Sequence, residues 1–208
     1  MKRILLIAVL LGTMITATTY FVCIAAPSVL FGKGIKGSGN IVTRTIDAPD
    51  FDRVDAARAV KVVITGKATG KITIEADDNI MEYVVVEAKG GRLTATIDKS
   101  VNNVSNADVT VTVPANGRIR ALDASSASKI TLKGSADKCS IDMSSAAKLS
   151  AAEFTVADCS VDTSSAAKAT VNCTDKLRAE ASSGSSIRYT GDCQTSISKS
   201  SGGSVSRK

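Results

Sequence analysis

Hydrophobic and polar residues alternate along most of this chain after its apolar first segment. A period of two, with many β-branched residues, is typical of β-strands that bury one face. Five such runs occupy the first half: Val60–Ile64, Lys71–Glu75, Tyr83–Glu87, Arg92–Asp98 and Val109–Val113. No segment sustains a helical period, and only Asp78–Tyr83 has the pattern of a single helical turn. The pattern predicts an all-β protein.

The second half of the chain repeats itself. Each copy is built on an apolar–acidic–apolar triplet followed by Ser-Ser and then Ala or Gly. Four copies match closely and a fifth is degenerate: 122–127, 141–146, 161–166, 179–184 and 197–202. Their first serines are separated by 19, 20, 18 and 18 residues. This period is too short for a repeated pair of helices.

A repeat of 18–20 residues has room for two short strands and two turns. The triplet forms the first strand, the Ser-Ser-Ala/Gly element turns the chain, and a second alternating run such as Leu149–Ala151 follows. One unit cannot bury its apolar face, whereas stacked units bury a continuous apolar column. The C-terminal half is therefore predicted to be a parallel β-helix (β-solenoid) with rungs about 4.8 Å apart.

Stacking places equivalent side chains in columns along the coil. One column is acidic (Asp123, Asp142, Asp162, Glu180) and another is basic (Lys129, Lys148, Lys168). Like charges about 4.8 Å apart raise each other's pKa unless a cation compensates, and Ca²⁺ prefers oxygen ligands. The alternative, which we keep, is a solvated face whose charge the lysine column balances. No D-x-D-x-D-G loop is present, and we assign no metal ligand and no cofactor site.

Four cysteines also lie in the second half: Cys139, Cys159, Cys173 and Cys193. In an exported protein they can pair as disulfides, and buried free thiols are the alternative; the sequence leaves both open. Cys139 and Cys159 each precede their repeat serine by five positions, so we expect them on neighbouring rungs and within disulfide reach. There is no C-x-x-C spacing to indicate a zinc or redox site.

The first 26 residues have the pattern of a secretory signal peptide. Met1–Arg3 is positive, Ile4–Leu11 is continuously apolar, and an apolar run interrupted by threonines continues to Ala26. We predict a signal peptide at 1–26, a linker at 27–36 and a β-helix domain at 37–208. An uncleaved anchor and lipid attachment at Cys23 are the alternatives.

Composition argues against several kinds of chemistry. The chain has no histidine, so a serine nucleophile has no usual base. The formal charge of +6 is mild and evenly spread and there is no tryptophan, so no nucleic-acid partner is expected. Glycosidases need two carboxylates at a set separation, whereas the acids that recur in the repeats form one column and active sites usually break a repeat. The irregular cluster Asp77-Asp78-Asn79 is typical of a turn. We assign no catalytic residue.

Several short motifs resemble the auto-transporter adhesin, head GIN domain family. They are Gly37-Ser38-Gly39-Asn40, Phe51-Asp52-Arg53-Val54, Val60–Gly66, Ala76–Asn79, Gly91–Leu93 and the Ser-rich repeats. Together they cover roughly residues 37–205. The resemblance implies a right-handed β-helix, bacterial export and a role in adhesion without catalysis. The family's usual Gly-Ser-Gly turns appear here mainly as Ser-Ser-Ala.

The sequence thus leads to three hypotheses. The main one is an exported, non-enzymatic protein of the bacterial periplasm, outer membrane or cell surface that binds a surface ligand, either a glycan or a protein. The second is a carbohydrate-active enzyme, a polysaccharide lyase or glycosidase, on a pectin-lyase-like coil. The third is a structural module that forms homo-oligomers through its open end or edge, because exposed strands invite pairing.

Overall fold

The computed structural model describes residues 34–67, 70–115 and 119–208. The predicted signal peptide, Cys23 and residues 27–33 of the predicted linker lie outside them. The strands, in chain order, are β1 Ile35–Lys36, β2 Ile41–Asp47, β3 Arg53–Ala56, β4 Lys61–Ile64, β5 Lys71–Asp77, β6 Val84–Lys89, β7 Arg92–Ile97, β8 Val104–Ser105, β9 Val109–Val113, β10 Ala121–Ala124, β11 Lys129–Met143, β12 Lys148–Thr163, β13 Lys168–Ala181, β14 Ser186–Thr190, β15 Gln194–Lys199 and β16 Ser204–Arg207.

The predicted all-β class is confirmed. The helical turn expected near Asp78–Tyr83 is a short 3₁₀ segment, Met81–Tyr83. In the part of the chain that the structure describes, no helix is long and apolar enough to cross a membrane. Strand β1 pairs with β8, so the folded chain reaches two residues into the segment predicted as a linker.

Two ladders of parallel strands form the coil. The first ladder contains β7, β3, β10, the second halves of β11, β12 and β13, and β15. The second contains β9, β4, the first halves of β11, β12 and β13, then β14 and β16. Each rung crosses the first ladder, turns sharply and crosses the second. The predicted β-solenoid is therefore present, with about four turns in the C-terminal half.

The Ser-Ser-Ala element makes the sharp turn, as predicted. In one copy Ser145 and Ala146 have φ of 51° and 62°, and the amide of Ala147 donates to the carbonyl of Ser144 at 3.0 Å. This is the geometry of a type I′ turn, which matches the twist of the strands on either side. The amide of Ala146 also donates to Ser165 of the next rung at 2.9 Å. Rung-to-rung bonds thus continue through the turns and hold residues other than glycine at positive φ.

The second predicted turn is replaced by a bend in β11, β12 and β13, whereas residues 191–193 interrupt the strand between β14 and β15. The chain passes from the second ladder of one rung to the first ladder of the next within a single long strand, such as Lys129–Met143. Pairing of β11 with β12 shifts register between Thr131 and Lys133. Such irregularities bend a strand while most of its ladder hydrogen bonds persist. The corner is therefore a bend within the strand.

The first half of the chain contributes a rung that the repeat search missed. Arg53–Ala56 pairs with Ala121–Ala124, and Lys61–Ile64 pairs with the start of β11. Between these strands Arg58 and Ala59 have φ of 56° and 62°, as in the Ser-Ala turns. Strands β7 and β9 lie beyond this rung, where β2, β5 and β6 pair antiparallel. The chain therefore stacks β7 and β9 on one side of this rung and then returns to its other side at β10.

The core is the inward face of both ladders. In the first ladder it is a column of Leu122, Ile141, Val161 and Ala179, and in the second a column of Ile130, Leu149, Ala169 and Ile187, all buried. Ile197 continues the first column in β15 but is 41% exposed. The terminal rung is therefore open on its outer side within the described chain.

The irregular acidic cluster is a hydrogen-bonding hub. Asp77 is 1% exposed, accepts a bond from the amide of Gly39 at 2.7 Å and accepts another from the amide of Asp108 at 2.8 Å. A Cβ on Gly37 would lie 2.7 Å from the Asp77 carboxylate, so that turn needs glycine. The hub joins three segments that are distant in the sequence.

Candidate binding face

The outward side of the first ladder carries three parallel columns of side chains, which we call the repeat face. Its first column is acidic, its middle column has small serines, and its third column is mainly basic. In one rung these positions are Asp142, Ser140 and Lys138, and in the next Asp162, Ser160 and Asp158. Columns two residues apart lie about 6.6 Å from each other, because a strand rises about 3.3 Å per residue.

The acidic column has the members that the sequence predicts and one more. Strand register places Asp123, Asp142, Asp162 and Glu180 on successive rungs. Asp55 precedes them, because β3 pairs with β10. The sequence Val54-Asp55-Ala56 has the same apolar–acidic–apolar pattern as the repeats. This pattern could have identified Asp55 as a member of the column. Four of the aspartates and three serine hydroxyls line a shallow groove of about 250 Å³.

Arginines compensate the acidic column near its two ends. Arg92 lies 3.6 Å from Asp55 and 3.5 Å from Asp123, and Arg178 pairs with Glu180. Asp142 and Asp162, in the middle, have no ion pair within 4.0 Å among the described residues. Partial burial, and then the charges of its neighbours in the column, raises the pKa of Asp142. Burial and the Asp123 charge likewise raise the pKa of Asp55, and Arg92 opposes this shift.

The lysine column lies on the second ladder. Lys129, Lys148 and Lys168 are on successive rungs, and Lys61 extends the column by one. Lys61 pairs with Asp108 at 2.7 Å. Across the described ranges, no direct ion pair joins this column to the acidic one. The lysine column was expected to balance the charge of the acidic column. At contact distance the partners of the acidic column are arginines instead.

The carboxylates of the column are evenly spaced, although Asp142 and Asp162 differ from the other members in having no ion pair among the described residues. Parallel strands project these side chains side by side at a nearly uniform spacing. Among the residues that the structure describes, no group of three or more Cys, Asp or Glu is arranged to hold a metal ion. The geometry therefore singles out no catalytic pair within the column.

The four cysteines are free thiols, and Cys139 and Cys159 lie on the inner side of this face. Register pairs Cys139 with Cys159, which confirms that they occupy neighbouring rungs. Burial raises the pKa of Cys139 to about 12 and raises that of Cys159 as well. Buried Cys173 donates from Sγ to the carbonyl of Lys176 at 3.1 Å, and Cys193 is half-buried beside it. Thiolates are scarce at neutral pH at the first two positions, so we expect both to react slowly.

A second groove, of about 420 Å³, crosses the repeat face where its strands begin; we call it the basic groove. Its walls and floor are Arg120, Lys138, Cys139, Ser140, Asp158, Cys159, Ser160, Lys176 and Arg178. Asp158, the carboxylate among these residues, pairs with Lys138 at 3.5 Å. Sequence reasoning missed this site because its residues change type from rung to rung. The recurrence of a cation two positions before the serine or arginine, in Lys138-x-Ser140 and Lys176-x-Arg178, was the only signal.

Two overlapping matches identify the family. The model of the family described as "Putative auto-transporter adhesin, head GIN domain" matches residues 50–127 and again residues 118–193. The chain belongs to this family. The boundary between the two matches falls where the chain returns to the other side of the β3–β4 rung at β10, so each match takes in part of the coil. An adhesin-like role is what this family membership supports.

The solved structures to which the chain is similar are distant in sequence. A putative adhesin from Bacteroides fragilis NCTC 9343 is 19% identical, with 84% of this chain and 100% of that chain covered and a TM-score of 0.47. A putative adhesin from Parabacteroides merdae ATCC 43184 is 15% identical, with 84% and 99% covered and a TM-score of 0.41. A putative lipid binding protein from Parabacteroides distasonis ATCC 8503 is 17% identical, with 85% and 100% covered and a TM-score of 0.41. No curated protein matches the chain.

Proposed function

We propose that this head GIN domain protein is an exported, non-enzymatic binding module that holds a ligand on its repeat face. The observation that carries the proposal is the face itself. Every rung presents the same outward positions, which gives a flat surface with two open grooves and columns of opposite charge. A solenoid builds extended binding surfaces in this way, because each added rung lengthens the same pattern.

Two further observations support the proposal. The family is one of adhesins, and residues 1–26 have the charge and apolar pattern of a signal for export. Export places the ligand in the periplasm, at the outer membrane or on the cell surface. The partner is a surface glycan or protein, because the face lacks the aromatic stacking platforms that single-stranded nucleic acids require.

The experiment has two parts. The full chain is expressed with its own N-terminus in a bacterium, and the intact mass of the fractionated protein shows whether residues 1–26 are removed. The purified protein is then tested for retention on glycan-coated and protein-coated surfaces. Export together with saturable retention supports the proposal; cytoplasmic accumulation of the uncleaved chain, or no retention on either class of surface, overturns it.

The carbohydrate-active enzyme remains the rival to exclude. Polysaccharides of several classes are incubated with the protein in the presence of Ca²⁺, and their chain length is followed by size-exclusion chromatography. The binding-module proposal expects no shortening. Shortening that is lost in Asp142→Ala or Asp162→Ala establishes the enzyme instead.

Self-association is a separate proposal. Strand β15 pairs with β13 alone and exposes Ile197, so its free edge offers backbone donors and acceptors to a second copy. Light scattering over a hundredfold range of concentration distinguishes the outcomes. A mass that rises with concentration supports pairing through this edge, and a constant monomer mass counts against it.

A further inference from the structure

The basic groove holds more positive charge than the fold neutralises. Lys138 pairs with Asp158, and Arg178 pairs with Glu180 of the acidic column. Arg120 and Lys176 are exposed, and among the described residues neither has an ion pair within 4.0 Å. Two cations therefore face the groove without a partner from the protein.

These two cations lie at opposite ends of the groove. Arg120 immediately precedes β10 and Lys176 lies in β13, which is three rungs away, or about 14 Å at the spacing of parallel strands. The backbone holds Arg120 in place, because its carbonyl accepts a bond from the amide of Ser140 at 2.8 Å. The charge is thus spread along the coil axis, which suits a linear ligand with several anionic groups.

The groove is open and its surface is mainly apolar, with Ser140 and Ser160 among the polar residues that line it. Ser140 and Ser160 stand side by side on adjacent strands, and both are exposed. Their hydroxyls can donate to and accept from the hydroxyl groups of a sugar ring. None of the lining residues is aromatic, and the large exposed apolar side chains of the described chain, Ile41 and Ile197, lie outside the groove. A base therefore has no aromatic side chain here on which to stack.

The acidic column limits where an anion can lie. Asp142 follows Ser140 by two residues, so a carboxylate stands about 6.6 Å to one side of the groove floor. Repulsion from this column keeps an anionic chain over the basic side and fixes its direction along the coil. Arginine adds a planar fork that binds carboxylate or sulfate through two parallel hydrogen bonds.

We propose that the basic groove binds a linear glycan that carries sulfate or carboxylate groups, with Arg120 and Lys176 as its main charged contacts. The inference deepens the binding function proposed above and rests on it. An acidic protein segment is the competing occupant, and the experiment below separates the two.

The probes are a heparin decasaccharide, a neutral dextran decasaccharide and a poly-glutamate peptide, titrated calorimetrically into the purified protein at low ionic strength. We expect saturable binding of the heparin probe and no binding of dextran. The double variant Arg120→Ser/Lys176→Ser should bind heparin about tenfold or more weakly. A charge-preserving pair, Arg120→Lys/Lys176→Arg, should recover most of the affinity. All four substitutions are at exposed side chains, and an unchanged melting curve verifies that the fold is intact.

The matched control is Lys148→Ser/Lys168→Ser, which removes the same charge from the second ladder. The heparin affinity of this control should change less than about twofold. That result is expected if the position of the positive charges, and not the net charge of the protein, determines heparin binding. Equal losses in both double variants show non-specific ion exchange and overturn the proposal, as does stronger groove-dependent binding of poly-glutamate. If surface retention persists in Arg120→Ser/Lys176→Ser, the groove assignment fails and the binding function stands. If the unaltered protein is retained on no surface, the binding function itself fails.

Discussion

The two halves of this molecule build the same coil by different means. From β10 onward each rung repeats the previous one, and stability comes from identical contacts stacked along an axis. Before β10 the chain uses single-copy devices: antiparallel strands, the Asp77 hub and a rung whose turn reads Ala57-Arg58-Ala59. A repeated contact can be lost at one end with little effect on the rest, whereas a single-copy contact has no substitute. This difference predicts where the protein is sensitive to mutation.

The largest expected effect is a difference in unfolding free energy between alanine variants of two isoleucines in one core column. Ile141→Ala removes a fully buried side chain between two rungs and should lower the free energy of unfolding by about 2–5 kcal/mol. Ile197→Ala, in the open terminal rung, should cost less than about 1 kcal/mol. Urea unfolding followed by circular dichroism measures both. Equal losses would mean that the terminal rung is as tightly packed as the interior, and the distinction between inner and end rungs would then be wrong.

The next effect tests the single-copy hub. Asp77→Ala leaves the amides of Gly39 and Asp108 without their buried acceptor and should cost about 3 kcal/mol, because both bonds go to a charged group. Asp78 is the matched control: it is the next residue, is exposed, and bonds the Ser38 hydroxyl at 2.6 Å. Asp78→Ala should have a much smaller effect in the same urea unfolding experiment. A loss for Asp78→Ala as large as that for Asp77→Ala would show that the burial of Asp77 is not what matters.

Sequence reasoning succeeded where the chain repeats and failed where it does not. The period of 18–20 residues predicts the coil, the Ser-Ser-Ala turn and the acidic column, since stacking forces equivalent residues into register. It missed the rung of β3 and β4 because that rung is separated in sequence from the rung it stacks on. It also placed a second turn in each repeat, where β11, β12 and β13 bend and their pairing shifts register.

The basic groove was harder to foresee for a different reason. A column is visible in a sequence only when its residues share a type, and the third column of the repeat face reads Lys138, Asp158 and Lys176. Arg120 lies outside any strand, and its place beside Ser140 depends on two backbone hydrogen bonds, one from the Ser140 amide and one to the Asp52 carbonyl. Such sites depend on register between particular rungs, which the repeat period alone does not specify.

The smallest expected effect tests whether stacking like-charged carboxylates on successive rungs lowers the free energy of unfolding. Burial, and then the neighbouring carboxylates, raise the folded-state pKa of Asp142. Its stabilising contribution is therefore fully present below the unfolded pKa, near 3.8, and is lost as pH rises through the folded value. At neutral pH the charged group therefore destabilises the coil. Asp142→Asn should raise the free energy of unfolding at pH 7 by no more than about 1 kcal/mol, since the side chain is largely solvated and screened. The gain should shrink as pH falls through the raised folded pKa towards 3.8.

Urea unfolding at several pH values measures this gain, and Asp137→Asn is the matched control, because Asp137 is exposed and outside the column. Salt sharpens the test. Repulsion between exposed charges is screened at high ionic strength, so about 1 M NaCl should reduce the gain at pH 7. A gain that is independent of both pH and salt would point to packing of the amide instead of relief of repulsion. If Asp142→Asn destabilises at pH 7, the charged column contributes to the fold, and the single-copy arginines near its ends compensate the repeated carboxylates more fully than their contacts indicate.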